Sequence, residues 1–258
     1  MEPVIFEKKG PIGWLTLNRP KQLNALSLEL MDKIQKKLSL ISKDKDIHVI
    51  IIKGNGPVFC VGHDMSELVG KKYDIHHFRM IFSECSKLML KLHKTPQPVI
   101  AQVHGAAMAA GCQLVAACDL AIAEKNAQFS TPGVRIGLFC STPMVPLSRL
   151  IGRRKALDML LTGRVISAED AERFGLINKV VNPKKLATET KKLAKELSFF
   201  SKYTLEFGKK IFYDQIDKDE VSAYKLAKEA IAVNCLSEDA QEGMLAFLEK
   251  RKPKWKNR

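Results

Sequence analysis

The stretch VHGAAMAAGCQLVAACD, residues 103–119, decides the fold. It begins as an apolar strand, runs through mostly small side chains, and continues with the spacing of a buried helix that starts at Ala110 or Gly111. This is a strand-to-helix turn. Gly105, Ala106, Ala107, Ala109, Ala110 and Gly111 leave little bulk around the backbone, so a ligand atom can approach it closely. The first N–H groups of such a helix lack partners and lie at its positive end, which suits an anion or a developing oxyanion. Small residues also serve plain helix-on-sheet packing, and alone this turn reads as packing before binding.

On the N-terminal side, residues 76–93 read as a helix with Ile81, Cys85, Leu88, Met89 and Leu92 inward, stopped by Thr95-Pro96-Gln97-Pro98. Residues 49–52 form a continuous apolar run, predicting a strand covered on both faces. It is followed by Gly54-Asn55-Gly56-Pro57, then by FCVGHD at residues 59–64 and a helical-looking segment from Ser66. Ser27 is placed to cap a helix carrying Leu30, Ile34, Leu38 and Ile41 on one face, and residues 4–8 and 14–17 read as a strand pair around Gly10-Pro11-Ile12-Gly13. On the C-terminal side a strand is expected over 120–123 and a loop over 131–143. Helices follow over 153–161, 167–174, 183–199 and most of 202–251. Alternating strands and helices predict an α/β fold with a largely parallel sheet. No repeat or linker separates the helical last third, which reads as an extension packed on the core or on another subunit.

The chain has 258 residues, enough for one large α/β domain, with 42 Lys plus Arg against 28 Asp plus Glu. The formal charge of +14 favours polyanionic partners without choosing among nucleic acid, anionic membrane and phosphorylated cofactors. Six cysteines without a CxxC pair read as reduced core thiols, and the start of the chain reads as neither a signal nor a transit peptide, so a cytoplasmic location is expected. The most apolar run, residues 99–123, is interrupted by Gln102, His104, Gln113 and Asp119, so no membrane span is expected.

Six segments in order resemble the crotonase, or enoyl-CoA hydratase/isomerase, superfamily: LNRPKQLNAL (17–26), FCVGHD, HGAAMAAGCQL, DLAIAEKNAQFSTP, LTGRVISAEDAERFGLINKVV (161–181) and EGMLAFLEKRKPKW near the end. The resemblance implies an α/β fold of repeated ββα units forming two sheets, with a core over residues 1–200 and a helical trimerisation region over 201–258. It further implies an acyl-CoA substrate and a homotrimer or dimer of trimers. No permanently bound cofactor is expected, coenzyme A arriving as part of the substrate, and nucleic acid is not the expected partner. Backbone N–H groups of His63 and Ala110 would hold the thioester oxygen; Asn24, Ala25, Leu26 and Lys250 would meet the coenzyme A moiety.

Where the hydratases of that family carry two glutamates, this chain has Gln113 and Gly133. An amide neither takes nor gives a proton near neutral pH, and glycine has no side chain. A placed acid or base contributes roughly 10²–10⁴ in rate, so ordinary hydration is disfavoured, while decarboxylation of a malonyl-type thioester needs only the oxyanion hole. A non-catalytic acyl-CoA binder and an RNA-binding homologue are the alternatives. Of the remaining candidates, His104 and Cys140 read as packed core groups, Arg135 as an exposed loop cation, and Ser141 stands where related enzymes carry an aspartate.

Overall fold

The structure is a computed structural model describing residues 2–70 and 74–258. In chain order the strands are β1 (Val4–Lys9), β2 (Ile12–Leu17), β3 (Val49–Gly54), β4 (Val99–Val103), β5 (Ala106–Met108), β6 (Leu120–Glu124), β7 (Gln128–Ser130), β8 (Ile166–Ser167) and β9 (Lys179–Val181). The α-helices are α1 (Leu28–Ile41), α2 (Ile75–Lys94), α3 (Ala110–Ala117), α4 (Ser141–Ile151), α5 (Arg153–Thr162), α6 (Ala168–Phe174), α7 (Leu186–Ser198), α8 (Lys202–Gln215), α9 (Glu220–Cys235) and α10 (Glu238–Leu248).

A large sheet runs β1-β2-β3-β4-β6-β9, antiparallel only at the β1–β2 hairpin, and a small one runs β5-β7-β8. The chain fills both by repeating one move. In β4-β5-α3 and again in β6-β7-α4, the first strand joins the large sheet, the second crosses to the small one, and a helix follows. These are the expected ββα units.

The large sheet is covered on both faces. Ile50 and Ile52 of β3 enter the main core with α1, α2 and α3, while Val49 and Ile51 pack with Ile12, Trp14, Ile100 and Ala194 of α7. That explains why β3 reads as an unbroken apolar run rather than an alternation. Ser27 accepts from the Leu30 N–H and starts α1 as expected.

Three local expectations are corrected. Residues 131–143 are not simply a loop. They contain a 3₁₀ turn at Pro132–Ile136, and α4 already begins at Ser141. Pro143 lies in the first turn, where a missing N–H costs nothing, so it does not mark a boundary. The three-residue β5 lies inside the stretch read as a direct strand-to-helix turn. The helical reading from Ser66 gives a single 3₁₀ turn, Met65–Glu67, and its continuation through 71–73 lies outside the described residues.

The helices beyond Ser201 are strapped to the core. Lys202 Nζ donates to the carbonyls of Asp44 and Lys45, and Lys209 Nζ to those of Leu92 and Gln97. Large apolar side chains on or beside these helices stay exposed, among them Phe199, Leu236, Phe247 and Leu248. No helix of the described residues is long and apolar enough to cross a membrane.

Candidate active site

The segment 59–64 is threaded between two others by main-chain ladders. On one side Cys60 bridges Ala107, with Cys60 N donating to Ala106 O at 3.1 Å and Met108 N to Cys60 O at 2.9 Å. On the other, His63 bridges Leu26, with Leu26 N donating to Gly62 O at 2.7 Å and Asp64 N to Leu26 O at 3.1 Å. Both ladders are short, yet they pin the His63 peptide against the start of α3. A Cβ added to Gly62 would lie 3.4 Å from the Ala110 nitrogen and 2.9 Å from Ala109 Cβ. Only glycine fits there, and its φ of 106° points the same way.

The helix start is built by Ala109. Its φ of 48° is in a region that side-chain-bearing residues rarely adopt. The Ala109 N–H donates to Ser130 O at 2.8 Å, and its carbonyl accepts from Gln113 N at 3.0 Å. Among the described residues, the N–H groups of Ala110, Gly111 and Cys112 have no acceptor, nor has that of His63. Gly111 permits the close approach, since a Cβ there would fall 2.1 Å from Cys60 O. The structure therefore brings His63 and Ala110 together with their amides free at the positive end of α3.

The side chains around this backbone pair are uncharged. His63 packs edge-on against Phe82 of α2, ring centroids 5.2 Å apart, with Nε2 buried and unpartnered. Burial lowers its pKa to about 4, so the imidazole is neutral at physiological pH. Gln113 is buried, and its Oε1 accepts from the Cys85 thiol at 3.7 Å. Burial pushes the thiols of Cys60, Cys85 and Cys112 up to about 12; a neighbouring thiol adds to the effect at Cys85 and Cys112. These are thiols, not thiolates.

Gly133 sits in the 3₁₀ turn before α4, buried under the chain that follows it. Leu138 N donates to Gly133 O at 2.9 Å, and a Cβ at Gly133 would meet Leu138 O at 2.6 Å and Cys140 Sγ at 2.9 Å. Cys140 is buried with its thiol pKa raised by that burial, partly offset by a hydrogen bond from the Gly133 N–H. Arg135 and Ser141 are exposed. His104 Nε2 is bonded to the Gly56 carbonyl at 2.9 Å, a packing role.

Other charges nearby are already committed. Asp64 pairs with Arg19 at 2.8 Å; burial opposes its charge, but hydrogen bonds from Ser66 and Arg19 prevail and hold its pKa below the usual range. Glu67 accepts from the Leu28 N–H. Arg19 also donates to Ala25 O at 2.6 Å.

The residues expected along coenzyme A behave differently from one another. Asn24 is fully buried, and its amide is spent within the chain. Oδ1 accepts from Arg19 N, and Nδ2 donates to the carbonyls of Asn55 and Val58, each at 2.9 Å. Asn24 is a brace for the Phe59 loop, and Leu26, also fully buried, offers only its backbone. Ala25 is buried as well. Lys250 is exposed just past α10, whose main neighbours within the chain are α8 and α9. Sequence reasoning missed the Cys85–Gln113 contact and the conformation of Ala109, neither of which has a local signal.

Comparison with known proteins identifies the family and the fold. The family model described as enoyl-CoA hydratase/isomerase matches residues 7–258. The chain is 45% identical over 93% of its length to the human enoyl-CoA hydratase domain-containing protein 3, mitochondrial, covering 79% of that protein. It is 33% identical to a probable enoyl-CoA hydratase of Mycobacterium tuberculosis, covering 100% of this chain and 99% of the relative. The crystal structure of an enoyl-CoA hydratase from Mycobacterium smegmatis superposes with a TM-score of 0.95 at 40% identity, covering 98% of each chain. That of the human domain-containing protein 3 gives 0.95 at 43%, covering 98% and 100%.

The same relatives overturn the cytoplasmic expectation. The mouse, rat, human, Xenopus laevis and zebrafish proteins all carry mitochondrial in their names. An import address resides in a detachable segment and leaves no mark on a domain's composition, and reduced buried thiols suit any reducing compartment.

Proposed function

We infer the function from one premise: this chain belongs to the enoyl-CoA hydratase/isomerase family. We propose that it polarises the carbonyl of an acyl-CoA thioester between the N–H groups of His63 and Ala110 and stabilises the enolate formed from it. The observation carrying this reading is the juxtaposition of two acceptor-free amides, enforced by Gly62 and Gly111. One such donor is worth about 2.7–4 kcal/mol of transition-state stabilisation.

With Gln113 and Gly133 at the positions of acid and base, the enolate-forming step best suited to the site is one that requires no proton removal. Decarboxylation of a malonyl-type thioester is such a step. The bond between the α-carbon and the carboxylate breaks, its electron pair becomes the enolate, carbon dioxide leaves, and the α-carbon then takes a proton from water. The buried thiols and the neutral His63 offer no competing nucleophile or strong base.

The test is incubation of purified protein with malonyl-, methylmalonyl-, crotonyl- and 3-enoyl-CoA, with products read by mass. Acetyl- or propionyl-CoA plus carbon dioxide supports the proposal. Hydrated crotonyl-CoA at hydratase-like rates, or no product from the malonyl-type thioesters, rejects decarboxylation. Tight coenzyme A thioester binding without turnover would favour the second reading, a non-catalytic acyl-CoA binder, which the missing carboxylates also support.

Assembly into a trimer or a dimer of trimers through the apolar face of α8–α10 belongs to the proposal. Phe247 is 82% and Leu236 81% exposed in a single chain, and apolar surface of this kind is normally covered. Light scattering of the purified protein tests it: a monomer at micromolar concentration rejects it.

A further inference from the structure

The two polar side chains flanking the hole hang from one face of one helix. Phe82 and Cys85 are three apart on α2, so they lie on neighbouring turns of the same side. Phe82 holds the His63 ring edge-on, and the Cys85 thiol donates to Gln113 Oε1. The second contact has a directional consequence. With the carbonyl end of the Gln113 amide turned to the thiol, its Nε2 is left without an acceptor among the described residues, although Gln113 is buried. Across the hole, His63 Nε2 is buried without a partner. A buried polar atom is ordinarily paired, so the unfilled His63 Nε2, together with the acceptor-free Nε2 of Gln113 and the free backbone amides, calls for a ligand with matching groups.

The charge around them narrows that ligand. The nearby carboxylates are committed elsewhere, Asp64 to Arg19 and Ser66, Glu67 to the Leu28 N–H. His63 and Gln113 are uncharged, and the amides at the start of α3 add positive potential. A site with glutamates at the 113 and 133 positions would repel a negative acyl group; this one does not.

We propose that Gln113 is a specificity-determining residue, its Nε2 donating to a carboxylate carried on the α-carbon of the acyl group, with the neutral His63 ring forming the opposite wall. This rests on the acyl-CoA reading above. It adds the residue that reads the second carboxylate of a malonyl-type thioester.

The test compares three probes on the full-length protein: malonyl-CoA, its neutral near-isostere isovaleryl-CoA, and free coenzyme A, with dissociation constants measured in the pre-turnover complex. A hydrogen bond to a charged group supports about a tenfold or larger preference for malonyl-CoA over isovaleryl-CoA. Gln113→Leu should bring that ratio close to one, and Gln113→Glu should invert it, while both variants keep their affinity for free coenzyme A. Retained coenzyme A binding also reports that each variant is folded. Equal affinity of the unaltered protein for the two acyl probes overturns the specificity proposal, even if a variant fails to fold. So does a ratio unchanged in Gln113→Leu. Absence of binding to all three probes overturns the acyl-CoA reading itself, and the inference with it.

Discussion

The two ends of α3 are held in opposite ways. Just past its C-terminal end Asp119 is fully engaged. Asp119 accepts from Val99 N at 2.7 Å, from Lys209 Nζ at 2.6 Å and from Tyr213 OH at 2.9 Å, and His93 stacks on Tyr213 at 4.1 Å. At its N-terminal end, among the described residues, the amides are unpaired and Ala109 is strained. A helix that must present bare amides needs to be fixed from elsewhere, and α8 does so through Asp119. Polar satisfaction holds one end; steric exclusion shapes the other.

The largest expected effect comes from breaking the satisfied end. Asp119→Ala leaves the buried Lys209 without its counter-charge and the Tyr213 hydroxyl and Val99 amide without their acceptor, and should cost about 3–5 kcal/mol in urea unfolding. If the division between the ends is real, the protein that remains folded keeps its coenzyme A affinity.

Next comes acid. The folded-state pKa of His63, about 4, lies below its ordinary 6.5, so below 6.5 the unfolded chain binds the proton that the fold refuses. Stability should therefore be intact above pH 6.5 and fall by about 1.4 kcal/mol per pH unit as pH drops from there toward 4. His63→Gln should make that part of the profile shallower, leaving the slope contributed by His48 and His93, whose pKa values burial also lowers. An unchanged profile would mean that His63 is solvated in the native state.

Gly111→Ala forces a Cβ to within 2.1 Å of the Cys60 carbonyl. Overpacking of this kind costs about 1–3 kcal/mol. Displacement of the hole should also lower turnover of whichever thioester is active far more than it lowers coenzyme A binding. The smallest effect has the opposite sign. Ala109→Gly relieves a φ of 48° and should stabilise the protein by about 1 kcal/mol, read as a higher urea midpoint with an unchanged slope.

The sequence made the local parts of this legible. Ser27 caps α1, β3 reads as a doubly covered strand, and α3 starts at Ala110, within the run of small residues. Such signals travel with a few neighbouring residues. What stayed hidden depends on distant partners or on exceptions to local rules. Pro143 and Pro146 disguise α4 as a loop, although one sits harmlessly in the first turn. An alanine at 109 gives no hint of a positive φ, where a glycine would have invited the thought. Cys85 and Gln113 meet only because α2 packs beside α3. The two segments of the proposed hole stand out in the sequence as motifs, but the ladders of Cys60 with Ala107 and His63 with Leu26 join them only in the folded chain.

The space around Gly133 sets an order on any attempt to change this protein's chemistry. The Leu138 carbonyl and Cys140 sulfur occupy the volume a side chain would need. A glutamate at 113 can be installed in one step, whereas one at 133 requires segment 138–140 to be rerouted first. The two positions are thus unequal as engineering targets. Conversion into a proton-shuttling catalyst is a remodelling of α4's entry, with the carboxylate added last.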